Sequence, residues 1–404
     1  MSTIDSLVYA SVFNPSEEEK IIARKEIRTL AKQRGIYPAS IHDVYMQFGK
    51  GELKGFTVPA FNVRNLTYDF SRLLFRLIKE KKARYSLFEI ARGEVNYTGQ
   101  SHDEYVTTIL AAAVAEEFIG PIYIQADHTQ FSAEKYAQDP KEQEEVLKKF
   151  IKTSLDSGVY NIDIDASTLV DLTKTNLEEQ QKENARMTAV LLNYIREIEP
   201  NGVTISVGGE IGHIGGKNST VGEFEAYMKL VERQRDTTKP GLSKVSVQTG
   251  TSHGGVVMPD GTIEQALVDF SLIESIGETA RRTYGMGGVV QHGASTLSPT
   301  VFHRFPEVGT LEIHLSTGFQ NIIFEHMSSE LKKEIYSWLD THYGSERKIG
   351  QTDEQFYYTV RKRANGPFKE KIWNMDVNAK TLVMQGLEKE IRFILHELKV
   401  ENTA

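Results

Sequence analysis

The stretch PIYIQADHTQFSAEKYAQDPKEQEEVLKKFIKTSLDSGVYNIDID, residues 121–165, contains two short apolar runs separated by a longer amphipathic segment. The pattern predicts a strand over residues 121–127, a helix over 141–157 and a second strand over 160–165. Two strands connected by a helix form a βαβ unit, in which the strands run parallel. The stretch therefore predicts a parallel sheet with helices packed against it.

The same alternation recurs along most of the chain. Strands are predicted over residues 56–63, 85–91, 121–127, 160–165, 203–210, 244–250, 287–293 and 310–316. Helical stretches are predicted over residues 67–82, 102–118, 141–157, 173–198, 222–236 and 263–276. Eight strands with intervening helices fit a closed (β/α)8 TIM barrel better than an open sheet.

Three regions follow from this pattern. Residues 51–325 are expected to form the barrel and to carry catalysis. Residues 1–50 are expected to be a helical N-terminal extension, with Ser16 as a helix N-cap. Residues 326–404 are expected to be a helical C-terminal extension.

Composition excludes several classes of function. The chain has 404 residues and a formal net charge of −8, which argues against a nucleic-acid-binding surface. It contains no cysteine, so any metal site must use histidine and carboxylate ligands. No apolar run is long enough to span a bilayer. We therefore expect a soluble, cytoplasmic protein without nucleic-acid or membrane partners.

Polar side chains follow several of the predicted strands. Asp127 and His128 end the third strand and Glu210 ends the fifth, while His253 and His292 follow the sixth and seventh. A single histidine at a strand end is more commonly structural than a ligand. Three of them at the mouth of one barrel, with an open position between them, are typical of a catalytic divalent metal such as zinc.

Two further histidines are left open by the sequence. His213 follows the fifth strand, where it either contributes to the mouth or faces solvent. His314 lies in the eighth strand, where it either lines the mouth or packs as a structural residue. The glycines of the same loops allow either a close approach of backbone to a ligand or ordinary turns.

Asp127 beside a metal ligand suggests a reaction class. A divalent cation on a ketone oxygen stabilises the enediolate that forms when a neighbouring C–H or C–C bond breaks. A carboxylate close to the metal then moves the proton. This combination suffices for aldol chemistry without a lysine Schiff base.

Several short segments in this order resemble the signature segments of class II fructose-bisphosphate aldolases. They are PAFN (59–62), EIARGEVNYTG (89–99), QADH (125–128), NIDIDAS (161–167), GGEIGHIGG (208–216), GTSHGG (250–255), QHGAS (291–295) and LEIHLST (311–317). The resemblance implies a zinc-dependent lyase of carbohydrate metabolism, such as glycolysis. It implies reversible retro-aldol cleavage of a ketose bisphosphate such as fructose 1,6-bisphosphate, by a homodimer or higher homo-oligomer.

The resemblance also implies roles for individual residues. The zinc ligands correspond to His128, His253 and His292, and Glu210 corresponds to a carboxylate at an alternative metal position. Asp127 corresponds to the residue that assists at the C4 hydroxyl. Two further matches are Asn62, near the enediolate, and Asp165, which we interpret as structural.

The phosphate-binding segments depart from the family pattern. Val257 stands where a lysine is usual, Ala91 where a serine is usual, and Lys217 and Asn218 replace an acidic pair. Arg92 could compensate for the lysine, and Lys371 matches a tail arginine that binds the second phosphate. The remaining candidate anion donors are Gly254, Gly293, Ala294, Ser295, Ser316 and Thr317.

These departures leave three hypotheses open. The first is a zinc aldolase for a ketose bisphosphate or a close relative. The second is a metal-dependent epimerase or aldolase for a different sugar or sugar acid, phosphorylated or not. The third, which the retained ligands disfavour, is a non-catalytic subunit that has kept the barrel.

Overall fold

The computed structural model describes residues 3–212, 217–251, 255–260, 262–264 and 266–403. Its strands are β1 Ile36–Ala39, β2 Val58–Asn62, β3 Leu87–Ala91, β4 Gly120–Gln130, β5 Asn161–Asp165, β6 Ser206–Glu210, β7 Lys244–Val247, β8 Val256–Val257, β9 Ile263–Glu264, β10 Gly288–Gln291 and β11 Glu312–Leu315.

Helices precede, separate and follow the strands. They are α1 Thr3–Phe13, α2 Glu17–Gln33, α3 His42–Gly49, α4 Thr67–Lys81, α5 Arg92–Thr98, α6 His102–Ala115, α7 Ala133–Gln138, α8 Pro140–Ser157, α9 Leu177–Ile198, α10 Val221–Gln234, α11 Phe270–Tyr284, α12 Arg304–Glu307, α13 Thr317–His326, α14 Ser329–Tyr343, α15 Asp353–Val360, α16 Lys369–Trp373 and α17 Val377–Glu397.

Within the described ranges, eight parallel strands close into a barrel in the order β2, β3, β4, β5, β6, β7, β10 and β11. β11 pairs with β2, and β4 pairs with β5, so the ring has no free edge at these strands. The predicted (β/α)8 fold is confirmed. Each barrel strand begins and ends within three residues of its predicted bounds.

The N-terminal extension contains one element that the sequence analysis missed. β1 pairs in parallel with the first half of β4, from Ile36 opposite Gly120 to Ala39 opposite Tyr123. The side chain of Asn161 holds the end of β1, because its Oδ1 accepts from the Ile41 N–H at 2.8 Å. The described part of the extension is thus helical except for this short strand. The predicted cap is confirmed, because the Ser16 side chain accepts from the Glu19 N–H.

The helix predicted over residues 263–276 begins later than expected. Residues 263–264 instead form β9, which pairs with β8 in an antiparallel hairpin. The hairpin turn is stabilised by Asp260, whose side chain accepts from the Thr262 N–H at 2.9 Å. The helix α11 starts at Phe270, after the N-cap Asp269.

The extensions share the hydrophobic core of the barrel. One cluster of buried side chains includes Ile27 of α2, Ile124 on the outer face of β4 and Ile391 of α17. Packing of both extensions against the barrel therefore buries apolar surface that would otherwise face water. In the part of the chain that the structure describes, every helix is too short or too polar to cross a bilayer.

Candidate metal and catalytic centre

A β-bulge explains how Asp127 and His128 both serve one site. Successive side chains of a regular strand point to opposite faces. The register between β4 and β5 shifts between Ala126 and Thr129, and His128 has a φ of 43°. Left-handed backbone at a non-glycine residue is costly, and bulges next to active sites re-aim side chains. The bulge thus brings two consecutive polar side chains to the barrel mouth.

His128 meets His292 across the barrel. Three strands separate β4 from β10 on either side of the ring, so these two strands are diametrically opposed. His128 Nε2 lies 3.0 Å from His292 Nδ1. The other nitrogen of His292, Nε2, lies 3.0 Å from Ser246 Oγ, which fixes the orientation of the ring.

Three carboxylates surround His128. Its Nδ1 lies 3.0 Å from Asp165 Oδ2 and 3.5 Å from Glu210 Oε2, and its Nε2 lies 3.6 Å from Asp127 Oδ2. Burial disfavours charge on His128, yet Asp127 and then Glu210 raise the pKa of its imidazole well above the ordinary value. Burial, followed by the charge of Asp165, raises the pKa of Glu210 to about 8.

These donors fit a divalent cation. Asp127, His128 and His292 each offer a ligand atom within 4.8 Å of the others, and His128, Asp165 and Glu210 form a second such group. Imidazole nitrogens and carboxylate oxygens suit zinc and other divalent ions. A cation bound there would displace the proton on His128, since metal ligands must be deprotonated. His213, His253 and Gly254 lie outside the described residues.

The barrel interior below this centre is charged. TIM barrels are usually filled with branched apolar side chains. Here the wholly buried Lys244 donates to Asp163 Oδ2 at 2.9 Å, to Glu312 Oε1 at 2.7 Å and to Gln125 Oε1 at 2.6 Å. Burial would lower the pKa of Lys244, but Asp163 and Glu312 outweigh burial and raise it.

His314 connects the buried charges to the candidate metal centre. Its Nε2 lies 2.5 Å from Glu312 Oε1, and its Nδ1 lies 3.0 Å from Glu89 Oε2 and 3.5 Å from Asp127 Oδ1. Its ring stacks on His292 with centroids 4.2 Å apart. His314 therefore lies inside the barrel mouth, which settles the alternative left open by the sequence.

The same contacts set the charge on Asp127. Burial would raise the pKa of Asp127, but His128 and then His314 hold it well below its usual range. Burial raises the pKa of the neighbouring Glu89 to about 8, against the opposing charge of His314. The low pKa favours the ionised form of Asp127, and the backbone N–H of His128 donates to its Oδ1 at 2.8 Å.

The buried charges inside the barrel were not predicted from the sequence. The overlooked signal was Lys244, a charged residue at the start of a short strand that a barrel buries on both faces. Gly208 also depends on it: a Cβ there would lie 2.3 Å from Asp163 Oδ1 and 3.0 Å from Lys244 Cε. Gly208 therefore leaves room for the buried ion pair. Neither of the roles expected for the loop glycines, a close approach to a ligand or an ordinary turn, includes this one.

A sequence comparison identifies the family. The profile of the family described as fructose-bisphosphate aldolase class-II matches residues 45–372, most of the 404-residue chain. The chain belongs to this family. Its members are metal-dependent aldolases, and the centre described above supplies donors for such a metal.

Solved structures agree on the fold. The fructose-bisphosphate aldolase from Campylobacter jejuni is 15% identical, with a TM-score of 0.53, covering 91% of this chain and 97% of that one. A Sinorhizobium meliloti 1021 protein, described as a probable tagatose 6 phosphate kinase, is 14% identical with a TM-score of 0.56. The match covers 84% of this chain and 100% of that one. No curated protein matches the chain.

In this member of the class II aldolase family, the buried polar atoms at the mouth without a hydrogen-bond partner among the described residues include two oxygens. They are Asn62 Oδ1 and Ser316 Oγ, at the ends of the paired strands β2 and β11. The Asn62 amide nitrogen donates to Glu94 Oε2 at 2.6 Å. Because buried polar atoms are normally satisfied, these two oxygens are candidates for contacts with a substrate.

Four of the other predicted anion-binding residues lie close together after β10 and β11. Gly293, Ala294 and Ser295 form the turn after β10, where Gly293 has a φ of 68° and Ser295 Oγ accepts from the Gly318 N–H at 3.2 Å. Thr317 begins α13 beside this turn. These residues lie together at the mouth.

Arg92 and Lys371, the two predicted phosphate-binding side chains, contact other groups of the protein. Arg92 donates to the Gln130 carbonyl at 2.9 Å. Lys371, on α16, pairs with Glu334 and is exposed. Neither contact joins these side chains to the candidate metal centre, and their roles toward phosphate stay predictions.

Proposed function

We propose that this protein is a zinc-dependent aldolase that reversibly cleaves a phosphorylated ketose, with fructose 1,6-bisphosphate as the first substrate to test. The observation that carries the proposal is the meeting of His128 and His292, at 3.0 Å, beside the ionised Asp127. Membership of the family supports the reaction class.

His128, His253 and His292 would hold the ion, with Glu210 as an alternative ligand. When bound, the ion supplies Lewis-acid polarisation of a ketone oxygen. Asp165 orients the ring of His128 through its Nδ1, at 3.0 Å, and Ser246 orients His292. Such outer contacts fix which nitrogen faces the metal.

Asp127 would hold and move the proton of the substrate hydroxyl at C4. The backbone N–H of His128 donates to Asp127 Oδ1 at 2.8 Å, and His314 Nδ1 lies 3.5 Å from the same oxygen. A general base must be ionised and positioned before the proton transfers. The low pKa of Asp127 and its hydrogen bond from the backbone N–H of His128 support this role.

Asn62 and Ser316 would orient the substrate. At the ends of adjacent strands, the unpaired Asn62 Oδ1 would accept a hydrogen bond from a sugar hydroxyl, and the Ser316 hydroxyl would accept or donate one. Proper orientation of reacting groups contributes a large part of a catalysed rate. The turn at Gly293, Ala294 and Ser295 adds backbone N–H groups for an anionic substituent.

Cleavage of fructose 1,6-bisphosphate by the purified protein, assayed before and after dialysis against EDTA, tests this function. We expect cleavage that is lost on dialysis and restored by zinc. Full activity without metal would overturn the proposed mechanism, and no cleavage by the zinc-loaded protein would overturn the proposed substrate. We also propose a cytoplasmic homo-oligomer, which sedimentation and fractionation would test.

A second function is favoured by the altered loops. Val257 and Ala91 stand at positions where this family usually binds phosphate, and Lys217 pairs with Glu223 at 2.7 Å. An epimerase or aldolase for another ketose or sugar acid would use the same metal and Asp127. A panel of free and phosphorylated ketoses separates the two: interconversion of another ketose without cleavage of fructose 1,6-bisphosphate selects the second function.

A further inference from the structure

A second group of metal-ligating side chains lies beside the candidate metal centre. Glu89, Asp127 and His314 each offer one ligand atom, and these three atoms lie within 4.8 Å of one another. They come from the strands β3, β4 and β11, and all three side chains are buried. Asp127 is thus common to this group and to the group that contains His128 and His292.

The separations between the ligand atoms fit a single ion. His314 Nδ1 lies 3.0 Å from Glu89 Oε2 and 3.5 Å from Asp127 Oδ1. Nitrogen and oxygen ligands bind zinc at about 2.0–2.2 Å, so at tetrahedral angles they lie about 3.3–3.6 Å from one another. Both measured separations fall within about 0.3 Å of that range. The atoms are therefore spaced for shared coordination.

The Nδ1 atom of His314 has no hydrogen bond to any described residue, although the side chain is only 6% exposed. Its two carboxylate neighbours are close to it, but neither has the geometry of a hydrogen bond. Buried polar atoms are normally satisfied. A divalent cation between the three side chains would give this nitrogen a partner.

The other ring nitrogen of His314 is held by a carboxylate. His314 Nε2 lies 2.5 Å from Glu312 Oε1, and Lys244 donates to the same oxygen at 2.7 Å. Histidines that bind metals usually donate their second N–H to a carboxylate, which fixes the tautomer and the orientation of the ring. The contact between Glu312 and His314 has this form, and it leaves Nδ1 for an ion.

A neighbouring group of ligands already holds a cation of the protein itself. Asp163, Glu312 and His314 also offer three ligand atoms within 4.8 Å of one another. There, Lys244 donates to Asp163 Oδ2 at 2.9 Å and to Glu312 Oε1 at 2.7 Å. By contrast, no lysine or arginine of the described residues lies within ion-pair distance of Glu89 or Asp127. These two carboxylates are therefore the ones suited to an external cation.

We propose that Glu89, Asp127 and His314 bind a second divalent cation, and that Asp127 bridges this cation to the ion of the centre formed by His128 and His292. Two carboxylate oxygens and one imidazole nitrogen suit Mn²⁺ or Zn²⁺. The ions of two-metal sites lie about 3.5–4 Å apart. Such a spacing allows both ions to contact the carboxylate of Asp127.

The second ion would regulate the reaction, and this step rests on the proposed aldolase function. Asp127 needs a basic oxygen to accept the proton of the C4 hydroxyl. A cation bound to a carboxylate favours its ionised form and so lowers its affinity for a proton. Turnover should therefore rise as the first site fills and fall as the second site fills.

Titration of the full-length protein with Mn²⁺, after removal of metal with EDTA, tests the site without any substrate. We expect two ions per chain by calorimetry. As the second ion binds, the electron paramagnetic resonance signal of isolated Mn²⁺ should weaken, because the two neighbouring spins couple. Binding of a single ion, or of two ions without coupling, would overturn the proposal.

Glu89→Gln should lose the second ion and keep the first. The amide keeps the shape of the side chain and resembles the protonated carboxyl, which burial favours by raising the pKa of Glu89 to about 8. The affinity for the second ion should fall by at least about 100-fold, since loss of an outer contact alone costs about 10- to 100-fold. The control Glu134→Gln, at an exposed residue of α7, should bind both ions. Wild-type affinity for two coupled ions in Glu89→Gln would overturn the site.

Glu210→Gln separates this site from the other carboxylates near His128. Asp165 and Glu210 lie 3.0 Å and 3.5 Å from His128 Nδ1 and form a different group of ligands. We expect Glu210→Gln to retain the ion that Glu89→Gln loses. If Glu210→Gln lost the coupled ion while Glu89→Gln kept it, the second ion would lie beside Asp165, and the proposal would be overturned.

Kinetics test the regulatory role. Cleavage of fructose 1,6-bisphosphate by wild-type protein should rise with the first equivalent of Mn²⁺ and fall as the second binds. When each rate is expressed relative to the maximum of the same protein, Glu89→Gln should show the rise without the fall. Equal inhibition of both proteins, or no inhibition of wild type, would overturn this role. If neither protein cleaves the substrate, the proposed aldolase function fails, while the metal titration still decides whether the second site exists.

Discussion

His128 Nε2 lies 3.0 Å from His292 Nδ1, although the two residues are 164 positions apart in the chain and stand on opposed strands. The contact joins two halves of the barrel that the ring of strands keeps apart. Three carboxylates lie within 3.6 Å of the same His128 ring. Such a concentration of donors around one point favours a cation.

His128→Ala and His292→Ala should each remove the metal. Loss of even an outer contact to a ligand weakens metal affinity 10- to 100-fold, so loss of a ligand should cost about 100-fold or more. Metal content of the purified variants, by mass spectrometry, measures this. His303→Ala, at an exposed histidine, is the control and should retain the ion. Full zinc occupancy in His128→Ala would contradict the proposed centre. We expect His253→Ala to behave like the two ligand variants.

Asp127→Asn should retain the metal and lose turnover. The amide keeps the size of the side chain but is a far weaker base, and a positioned base contributes roughly 10²- to 10⁴-fold to rate. We therefore expect kcat to fall by about that factor, with metal content unchanged. The exposed Asp156 of α8 provides a matched control in Asp156→Asn, which should keep its kcat. A kcat within a few-fold of wild type in Asp127→Asn would exclude its role as the proton carrier.

Features that depend on residues close together in the sequence could be predicted, whereas features that depend on distant residues could not. The barrel strands were predictable because burial on both faces leaves continuous apolar runs, and the mouth was predictable because parallel strands share a direction. Asp127 and His128 were found for that reason. The bulge that brings both into one site was not, because a register shift depends on the partner strand.

Other features depend on contacts between distant residues. β1 was missed because a strand of four residues, pairing with only part of β4, carries little periodicity. The buried contact of Lys244 with Glu312 joins strands 68 residues apart.

Lys244→Met should destabilise the fold strongly. Removing one partner of a buried ion pair leaves uncompensated charge, here on Asp163 and Glu312, and costs about 3–5 kcal/mol. The free energy of unfolding, from urea denaturation at pH 7, measures the loss. Lys229→Met removes an exposed lysine paired with Glu178 and should change that free energy by less than about 1 kcal/mol.

A second substitution checks the cause of that loss. Adding Glu312→Gln to Lys244→Met removes one of the stranded charges and should recover part of the lost stability. If the single variant lost less than about 1 kcal/mol, or if the double variant were no more stable than the single one, the charges inside the barrel would not be a coupled unit.

His102 should make the protein sensitive to mild acid. It lies at the start of α6, is 4% exposed, and its Nε2 has no hydrogen-bond partner among the described residues. Burial lowers the pKa of His102 from 6.5 to about 4. The unfolded chain therefore binds a proton between these two values while the folded protein does not, so stability falls as the pH falls. Linkage gives a loss of about 2 kcal/mol between about pH 7.5 and pH 5.

His102→Phe tests this dependence, because a phenyl ring fits beside Phe150, whose centroid lies 5.0 Å from the imidazole. The difference in unfolding free energy between the variant and wild type should change by about 2 kcal/mol in favour of the variant as the pH falls from about 7.5 to 5. His303→Phe, at an exposed histidine, should leave the wild-type pH dependence intact. Parallel pH profiles of His102→Phe and wild type would show that His102 is protonated equally in both states, and that its burial does not limit the acid stability.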